Sequence, residues 1–286
     1  MANIRAIKRR IRSVTNTAKI TKAMEMVAAS KMRRSQQRVL AARPYAESMR
    51  TVLGNLAAQR TAGAELHPLL QRRPVERIEI IHITADRGLC GGLNANMNRR
   101  TGAFILEQAK PVSLVTVGRK GRDFMGRYGR DIRAEFTQLG DAPLLLDVAP
   151  VARVVTDDYI GGYADQVFVA YQQFVSTVTQ RPVIRQLLPI EAAEIPPERN
   201  VEYIYEPDPE VVMAQLLPRF VEMQIYHAIL EGIGSEQSAR MVAMHSATEN
   251  ANEMVQELTL TYNKARQEMI TKELLDLVGG AAALEE

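Results

Sequence analysis

The stretch SEQSARMVAMHSATENA, residues 235–251, decides how this chain can fold. It contains neither glycine nor proline, and it belongs to a longer run, residues 235–278, that also lacks both. Such a run predicts a long uninterrupted helix. Its apolar residues are mostly Met and Ala, so the apolar stripe is thin and buries little area per turn. Small residues let two helix backbones approach closely, so we expect a partner helix and a further structure surrounding the pair.

The pattern of this run is that of a coiled-coil seam, with steps of three and four residues. The predicted seam residues are Met244, Ala247, Ala251, Met254, Leu258, Thr261 and Ala265. Further along, the stripe continues after a shift, through Ile270, Leu274 and Leu277.

The N-terminal end of the chain also predicts a long helix with a coiled-coil seam. Residues 3–43 lack glycine and proline, and we expect a helix that is kinked by Pro44 and extends to about residue 57. A seam begins with Ile4, Ile7, Ile11, Val14 and Ala18, and its phase then drifts through Met24, Val27 and Ala28 to Met32 and Val39.

Between the two ends the pattern alternates between strands and helices. Predicted strands at 77–84, 111–118, 131–139, 166–174 and 182–190 are separated by predicted helices that begin near residues 93, 119 and 150. This alternation predicts an open, Rossmann-like α/β sheet. The predicted fold is therefore α/β, with a long antiparallel two-helix coiled coil built from residues 1–58 and 208–280 and a sheet domain over residues 76–200.

Composition excludes several classes of protein. The chain lacks a run of about 18 apolar residues, so no membrane-spanning helix is predicted. Cys90 is the single cysteine, which excludes an intramolecular disulfide, and we expect it to be a small buried apolar residue. Residues 1–43 hold 12 basic residues and one acidic residue, a net charge of +11, within a chain of net charge +3. This segment therefore predicts an acidic partner or a solvated basic face.

The sequence holds few candidates for chemistry. The turn GLCGGLN, residues 88–94, follows a strand and opens a helix but does not match a phosphate-binding glycine motif. Asp86 and Arg87 beside it are interpreted as a local ion pair or a contact surface. The histidines lack metal-ligand spacing, and His82, which lies within an Ile-rich strand, is predicted to be a core residue. We predict no catalytic residue, no metal site and no cofactor.

From the residues alone, two interpretations of the basic helix stay open. It can bind nucleic acid, although it lacks interleaved aromatic residues, or it can lie against an acidic protein collar. An α/β enzyme that uses the glycine-rich turn is a third hypothesis. An amphipathic, Arg-rich start also resembles an organelle transit peptide.

Several long motifs together closely resemble the gamma subunit of F-type ATP synthases. They are ITKAMEMVAASKMRRSQ (20–36), RPYAESMR (43–50), TADRGLCGGLN (84–94), YEPDP (205–209), SEQSARMVAMHSATENA (235–251) and LTYNKARQEMITKEL (260–274). The resemblance is weakest across residues 119–200. Because family-like sequence begins by residue 4, the basic helix belongs to the mature protein, and the transit-peptide interpretation is dropped.

The resemblance implies a rotor. In that family the terminal helices form a shaft inside a ring of three alpha and three beta subunits. The sheet domain lies at the base, beside the epsilon subunit and the membrane c-ring. Proton flow turns the c-ring and the shaft, and each beta subunit changes its nucleotide affinity in turn. The implied chain has no catalytic residue, is present in one copy and does not bind nucleic acid. It is peripheral to the bacterial plasma membrane, on its cytoplasmic side.

The resemblance also implies contacts for individual residues. Lys22 and Met24 match positions near the acidic lever loop of beta. Arg266, Gln267 and Thr271 match positions that contact the beta catch region. Positions that meet the c-ring and epsilon are matched by Tyr203, Tyr205 and Glu206. The chloroplast form carries a dithiol segment, and Cys90 alone implies that regulation of that kind is missing here.

Overall fold

Two long helices form the ends of the chain in the computed structural model, which describes residues 4–58, 67–190, 206 and 208–282. Helix α1 spans Ile4–Ala58 and helix α5 spans Pro209–Ala282. Pro44 lies inside α1 and Pro218 inside α5, and neither proline ends its helix. The predicted long helices at both ends are confirmed.

A sheet domain lies between them in the sequence. Its elements are β1 (Ile78–Ile83), α2 (Leu93–Glu107), β2 (Val112–Val117), α3 (Arg119–Arg127), β3 (Asp131–Phe136), α4 (Leu145–Ile160), β4 (Gln166–Phe174) and β5 (Gln180–Leu188). The five strands form one sheet in the order β3-β2-β1-β4-β5. The first four are parallel, and β5 pairs antiparallel with β4 at the edge. The predicted open α/β sheet is thus confirmed.

The centre of the sheet is buried on both faces, which explains the nearly continuous apolar sequence of β1. Alternate residues of β1 point to opposite faces. Ile78 and Ile80 belong to a core shared with α2 and α3, while Ile81 and Ile83 belong to a core shared with α4 and α5. Leu69, in the short 3₁₀ turn Pro68–Leu70 before β1, is buried in this second core.

Helix α4 begins five residues before the predicted start at Pro150. The N–H of Leu144 donates to the Asp147 carboxylate at 2.7 Å, which satisfies one of the free donors at the helix start. The proline lies inside the helix as a result. The sequence pattern misplaced this boundary because proline was taken as the first helical residue.

The chain divides into two compact units, and the division cuts both long helices. One unit consists of Met1–Ala28 with Met241–Glu286, and the other is the continuous segment Ala29–Arg240. The sheet domain lies within the second unit. The three-segment division expected from the sequence, 1–58, 76–200 and 208–280, stays a prediction.

Candidate functional site

The seam of the first unit is built from small side chains. Ala18 and Ala28 of α1 are buried, as are Met244 and Ala251 of α5. Alanine removes little apolar area from water, so this seam is weakly stabilised per turn compared with a leucine seam. The thin stripe expected from residues 235–251 is thus present, and it permits close packing of two helices.

Polar contacts fix the direction of the pair. The hydroxyl oxygens of Thr21 and Thr248 lie 2.7 Å apart, and His245 Nδ1 lies 3.3 Å from Glu25 Oε1. As the residue number rises along α1, that of its partner on α5 falls. The two helices are therefore antiparallel, as predicted.

The sequence pattern was wrong about part of this seam. On α1 the phase does not drift after Ala18: the buried or half-buried positions continue at steps of three and four. In the first unit they are Ala18, Thr21, Glu25 and Ala28; Met32 and Ser35, which belong to the second unit, keep the same spacing along the sequence of α1. Val27, which was expected in the stripe, is 54% exposed. The polar members of the seam concealed its regular spacing.

The same correction holds on α5. Met254 and Thr261, both predicted seam residues, are exposed, whereas Val255 and Tyr262 are partly buried. Leu258, one of the predicted residues, is partly buried. A shift of one residue keeps the seam spacing at four and three from Ala251 onward. A tyrosine at a seam position was the missing signal, because its polar hydroxyl made it look like a surface residue.

A row of charges crosses the pair next to the seam. Lys22 Nζ lies 3.1 Å from Glu25 Oε2, and His245 Nε2 lies 3.4 Å from Glu249 Oε1. Partial burial acts to raise the pKa of Glu25, but the hydrogen bond and charge of Lys22, together with His245, hold it below its usual value. Glu25 is therefore ionised at neutral pH, and the Lys22 ammonium is partly neutralised by its own helix.

Many large apolar side chains of this unit are exposed. They are Ile20, Met26, Val27, Met254, Leu260, Met269, Ile270, Leu274, Leu275, Leu277 and Val278. A concentration of large exposed apolar side chains of this kind indicates an interaction surface. We therefore take the outer surface of the helix pair as the candidate functional site.

The predicted contact residues lie at two separate places on this surface. Lys22 is exposed and Met24 is half-buried, both near the Glu25–His245 contact. Arg266, Gln267 and Thr271 are exposed on α5. At 1.5 Å per residue, Arg266 lies about 30 Å along α5 from His245. The structure therefore does not bring the two groups together.

The predicted foot residues can be located only in part. Tyr203 and Tyr205 lie outside the described residues. Glu206 is described and exposed, just before Asp208, which caps the start of α5. The Asp208 carboxylate accepts the backbone N–H groups of Glu210 and Val211, each at 2.9 Å.

Hydrogen bonds to other parts of the chain fix the glycine-rich turn after β1. The carboxylate of Asp86 accepts the backbone N–H groups of Arg119 and Gln138, each at 2.9 Å, and so joins the start of α3 to the loop after β3. Arg240, which is 9% exposed, donates to the Gly88 carbonyl at 3.0 Å and pairs with Glu236 at 2.7 Å. The role of Asp86 in positioning loops was not predicted, because both donors are distant in sequence.

Helix α5 also lies beside the carboxyl ends of the strands, where open α/β folds usually bind ligands. Ile229, Gly232 and Ile233 line a cavity of about 50 Å³ at the carboxyl ends of β1, β2 and β3. Small-molecule pockets measure roughly 300–1,000 Å³. This cavity is therefore too small for a nucleotide.

The predictions for His82 and Cys90 are confirmed. His82 is fully buried, with Asn98 Oδ1 2.8 Å from its Nε2 and Thr101 Oγ1 3.1 Å from its Nδ1. Burial lowers the pKa of His82 to about 4, although the Asn98 hydrogen bond opposes this, so the ring is neutral at physiological pH. Cys90 is buried, and Asn94 Nδ2 lies 3.3 Å from its Sγ.

The described part of the chain offers neither a group of metal ligands nor a helix that could cross a membrane. Across residues 4–58, 67–190, 206 and 208–282, no three His, Cys, Asp or Glu side chains are grouped as metal ligands would be. None of the helices described combines the length and apolar composition needed to cross a bilayer.

Comparison with known proteins identifies the family to which these helices and this sheet belong. Residues 3–284 match the family model described as ATP synthase. The chain is 64% identical over 284 residues to the ATP synthase gamma chain of Dehalococcoides mccartyi strain CBDB1, covering 99% of this chain and 100% of that one. It is 51% identical over 290 residues to the ATP synthase gamma chain of Roseiflexus sp. strain RS-1, with both chains fully covered.

Solved structures show the same fold. A chain from the central stalk and c-ring structure of Tetrahymena thermophila mitochondrial ATP synthase aligns with a TM-score of 0.62 and 26% identity, covering 80% of this chain and 99% of that chain. A chain from Euglena gracilis mitochondrial ATP synthase, in an assembly of OSCP, F1 and c-ring, aligns with a TM-score of 0.71 and 21% identity. That alignment covers 98% of this chain and 94% of the other.

Proposed function

The chain belongs to the ATP synthase gamma-chain family, and we propose from this premise that it is the central-stalk rotor of a proton-transporting ATP synthase. The observation that carries the proposal is the full-length match to gamma chains at up to 64% identity. The antiparallel helix pair with a small-residue seam supports the proposal, because a slender pair of helices fits inside a ring of subunits.

The outer surface of the pair is the proposed bearing. Three alpha and three beta subunits would surround one copy of the chain and cover its exposed apolar residues. The basic residues of α1 would face acidic loops of that collar. Exposed charge pairs contribute little energy each, which suits contacts that must form and break during rotation.

Coupling between rotation of the shaft and nucleotide binding on the beta subunits would follow from the asymmetry of this surface. The α1 side is strongly basic, with a net charge of +11 over residues 1–43, and the last turns of α5 are apolar and mixed in charge. A rotating shaft then presents different faces to each beta subunit. A shaft that contacts two beta conformations differently shifts their populations and so their nucleotide affinities. Proton flow drives synthesis in this way, and hydrolysis drives the reverse rotation.

Two contact regions on the bearing are proposed. Lys22 and Met24 would meet the acidic lever loop of beta. Arg266, Gln267 and Thr271 would meet the beta catch region, about 30 Å further along the helix axis. The exposure of Lys22 and of the three α5 residues supports this assignment.

The sheet domain would form the foot of the rotor. Tyr203, Tyr205 and Glu206, in the segment before α5, would contact the c-ring and the epsilon subunit. The chain would then be a peripheral protein on the cytoplasmic side of a bacterial plasma membrane. We propose that it has no catalytic site of its own and requires no cofactor, since nucleotide chemistry would take place on the beta subunits.

The test is assembly and coupling in the source bacterium. An affinity-tagged chain is expected to purify with an ATP-hydrolysing complex that contains one tagged chain per three beta subunits, and this complex should pump protons in vesicles. A tagged chain that purifies alone, or with nucleic acid in a salt-sensitive manner, would overturn the proposal.

The contact regions need a separate test. Met24→Lys adds a second positive charge beside Lys22 and is expected to lower the number of protons pumped per ATP hydrolysed. Gln37→Lys, at another exposed position of α1, is the matched control. Equal coupling in both variants would remove Met24 from the proposed contact without affecting the family assignment.

A further inference from the structure

Two serines of the stretch 235–251 do not face the partner helix of the coil. Ser235 Oγ donates to the carbonyl of Gln172 at 3.0 Å, and Ser238 Oγ donates to the carbonyl of Thr177 at 2.6 Å. Both serines are 0% exposed. Gln172 lies near the end of β4 and Thr177 in the turn between β4 and β5, so α5 is hydrogen-bonded directly to the end of β4 and to the turn that follows it.

Two glycines of α5 lie where the helix contacts its neighbours. A Cβ added at Gly232 would lie 3.4 Å from Ile83 Cγ2, and one added at Gly234 would lie 3.4 Å from Ser35 Oγ. Ser35 Oγ in turn donates to the carbonyl of Leu230 at 3.0 Å. One short segment of α5 is thus packed against a strand on one side and against α1 on the other.

The hydroxyl contacts differ in kind from the apolar packing around them. Apolar contact is not directional, so it resists separation of α5 from the sheet but only weakly resists rotation of α5 about its own axis. A hydroxyl–carbonyl hydrogen bond has a narrow range of distance and angle. Ser235 and Ser238 are three residues apart and so lie on one face of the helix. Together they fix which face of α5 meets the sheet.

We propose that Ser235 and Ser238 are positioning residues that lock the rotational phase of α5 against the sheet domain, so that this joint passes torque from the foot to the shaft. The proposal rests on the rotor function proposed above. It names a specific mechanical element of that function, because α5 continues from this joint as one helix to Ala282.

The experiment measures rotation in the assembled complex. The collar is fixed to a surface, and a probe is attached to the sheet domain at Leu106→Cys, an exposed position of α2, in a Cys90→Ala background. Ser235→Ala with Ser238→Ala is compared with Ser48→Ala, an exposed serine of α1. The expected result is a wider angular distribution of the probe at each pause in the double variant, with an unchanged rate of ATP hydrolysis at zero load.

Amide exchange in the complex gives a second readout. Loss of both hydrogen bonds is expected to raise the opening of the turn 175–179 about 5- to 30-fold, and Ser48→Ala is expected to leave it unchanged. An increase in exchange without a wider angular distribution would indicate a merely structural role and would overturn the proposal.

If the variant with both Ser235→Ala and Ser238→Ala does not fold, a covalent crosslink between α5 and the turn tests the same proposal. Thr177→Cys with Ser238→Cys, in the Cys90→Ala background, removes one hydroxyl contact and permits a thiol crosslink in its place. The reduced form is expected to show the wide distribution and the crosslinked form the narrow one. Equal angular distributions in the reduced and crosslinked forms would overturn the proposed role of Ser235 and Ser238 without affecting the proposed rotor function. A wild-type chain that does not rotate at all would overturn the proposed function and the joint with it.

Discussion

The hydroxyl groups of Thr21 and Thr248 meet at 2.7 Å in the seam between the terminal helices. Each hydroxyl also contacts its own helix: Thr21 Oγ1 lies 3.1 Å from the carbonyl of Thr17, and Thr248 Oγ1 lies 2.8 Å from that of Met244. The pair therefore links two helices without leaving a polar atom unsatisfied. Such a contact fixes the register of a seam that alanines alone would leave poorly specified.

This contact gives a first prediction. Thr21→Val or Thr248→Val removes one hydroxyl and is expected to lower the free energy of unfolding by about 1 kcal/mol, because the hydrogen bond across the seam is lost and the remaining hydroxyl keeps only the carbonyl of its own helix. The double variant is expected to cost less than the sum of the two. Urea unfolding of the full chain measures the coupling, which we expect at about 0.5–1 kcal/mol. Additive costs would show that the two hydroxyls act independently.

Two helical glycines give a second prediction with its own control. A Cβ at Gly121 in α3 would lie 2.6 Å from His82 Cδ2 and 2.8 Å from Thr84 Oγ1, whereas nothing lies within 4 Å of one at Gly102 in α2. Gly102→Ala is expected to stabilise the chain by roughly 0.5–1 kcal/mol through helix propensity. Gly121→Ala is expected to destabilise it by roughly 1–3 kcal/mol through overpacking. Thermal unfolding of both variants checks this, and a shared sign would contradict it.

The single thiol gives a third prediction. Burial raises the pKa of Cys90, and the nearby Glu236 carboxylate adds to this effect, although Arg240 opposes it. The thiolate is the reactive form, so the folded chain is expected to react with iodoacetamide far more slowly than the unfolded chain. Mass spectrometry over time, with and without denaturant, measures the difference. Equal rates would show that the turn around Cys90 opens freely.

Local patterns predicted much of this fold. The alternation of strand and helix signals gave the five strands of the sheet, since each signal depends on a few consecutive residues. The edges of the sheet were predicted less well: the strand expected over 131–139 is β3, which ends at Phe136, lies at one edge of the sheet and has a half-exposed pattern. The order of the strands follows from contacts between distant residues, which periodicity does not encode.

The seam shows where the pattern failed and why. Apolar periodicity finds buried positions only when they carry apolar residues, and Thr21, Glu25 and Ser35 do not. Ser235 and Ser238 were missed for a related reason. The stretch that contains them was interpreted as one seam, yet its first turns bond to the sheet and its later residues form the helix pair. Because α5 packs against the sheet first and against α1 of the pair later, no single apolar period describes its buried positions.

Glu79, in the central strand, was also not predicted, and it gives the last prediction. It is 0% exposed, and its carboxylate oxygens have no hydrogen-bond partner among the described residues. Burial, with a further contribution from the Asp158 carboxylate, raises the pKa of Glu79 to about 8, and Arg133 opposes the shift. Arg133 itself is engaged with Asp158 at 3.0 Å. Glu79 is therefore largely protonated in the folded chain at neutral pH.

The sign of the pH dependence follows from this shift. Because the folded-state pKa lies above the unfolded value of 4.5, the contribution of Glu79 to the stability of the wild type is fully present below pH 4.5 and is lost as the pH rises from 4.5 to about 8. Glu79→Gln keeps the shape and cannot ionise. It is expected to match the wild type near pH 4.5 and to exceed it by roughly 3–5 kcal/mol above pH 8. Urea unfolding at both pH values, with Glu107→Gln as an exposed control, measures this difference. Parallel loss of stability in the wild type and in Glu79→Gln would show that another group carries the titration.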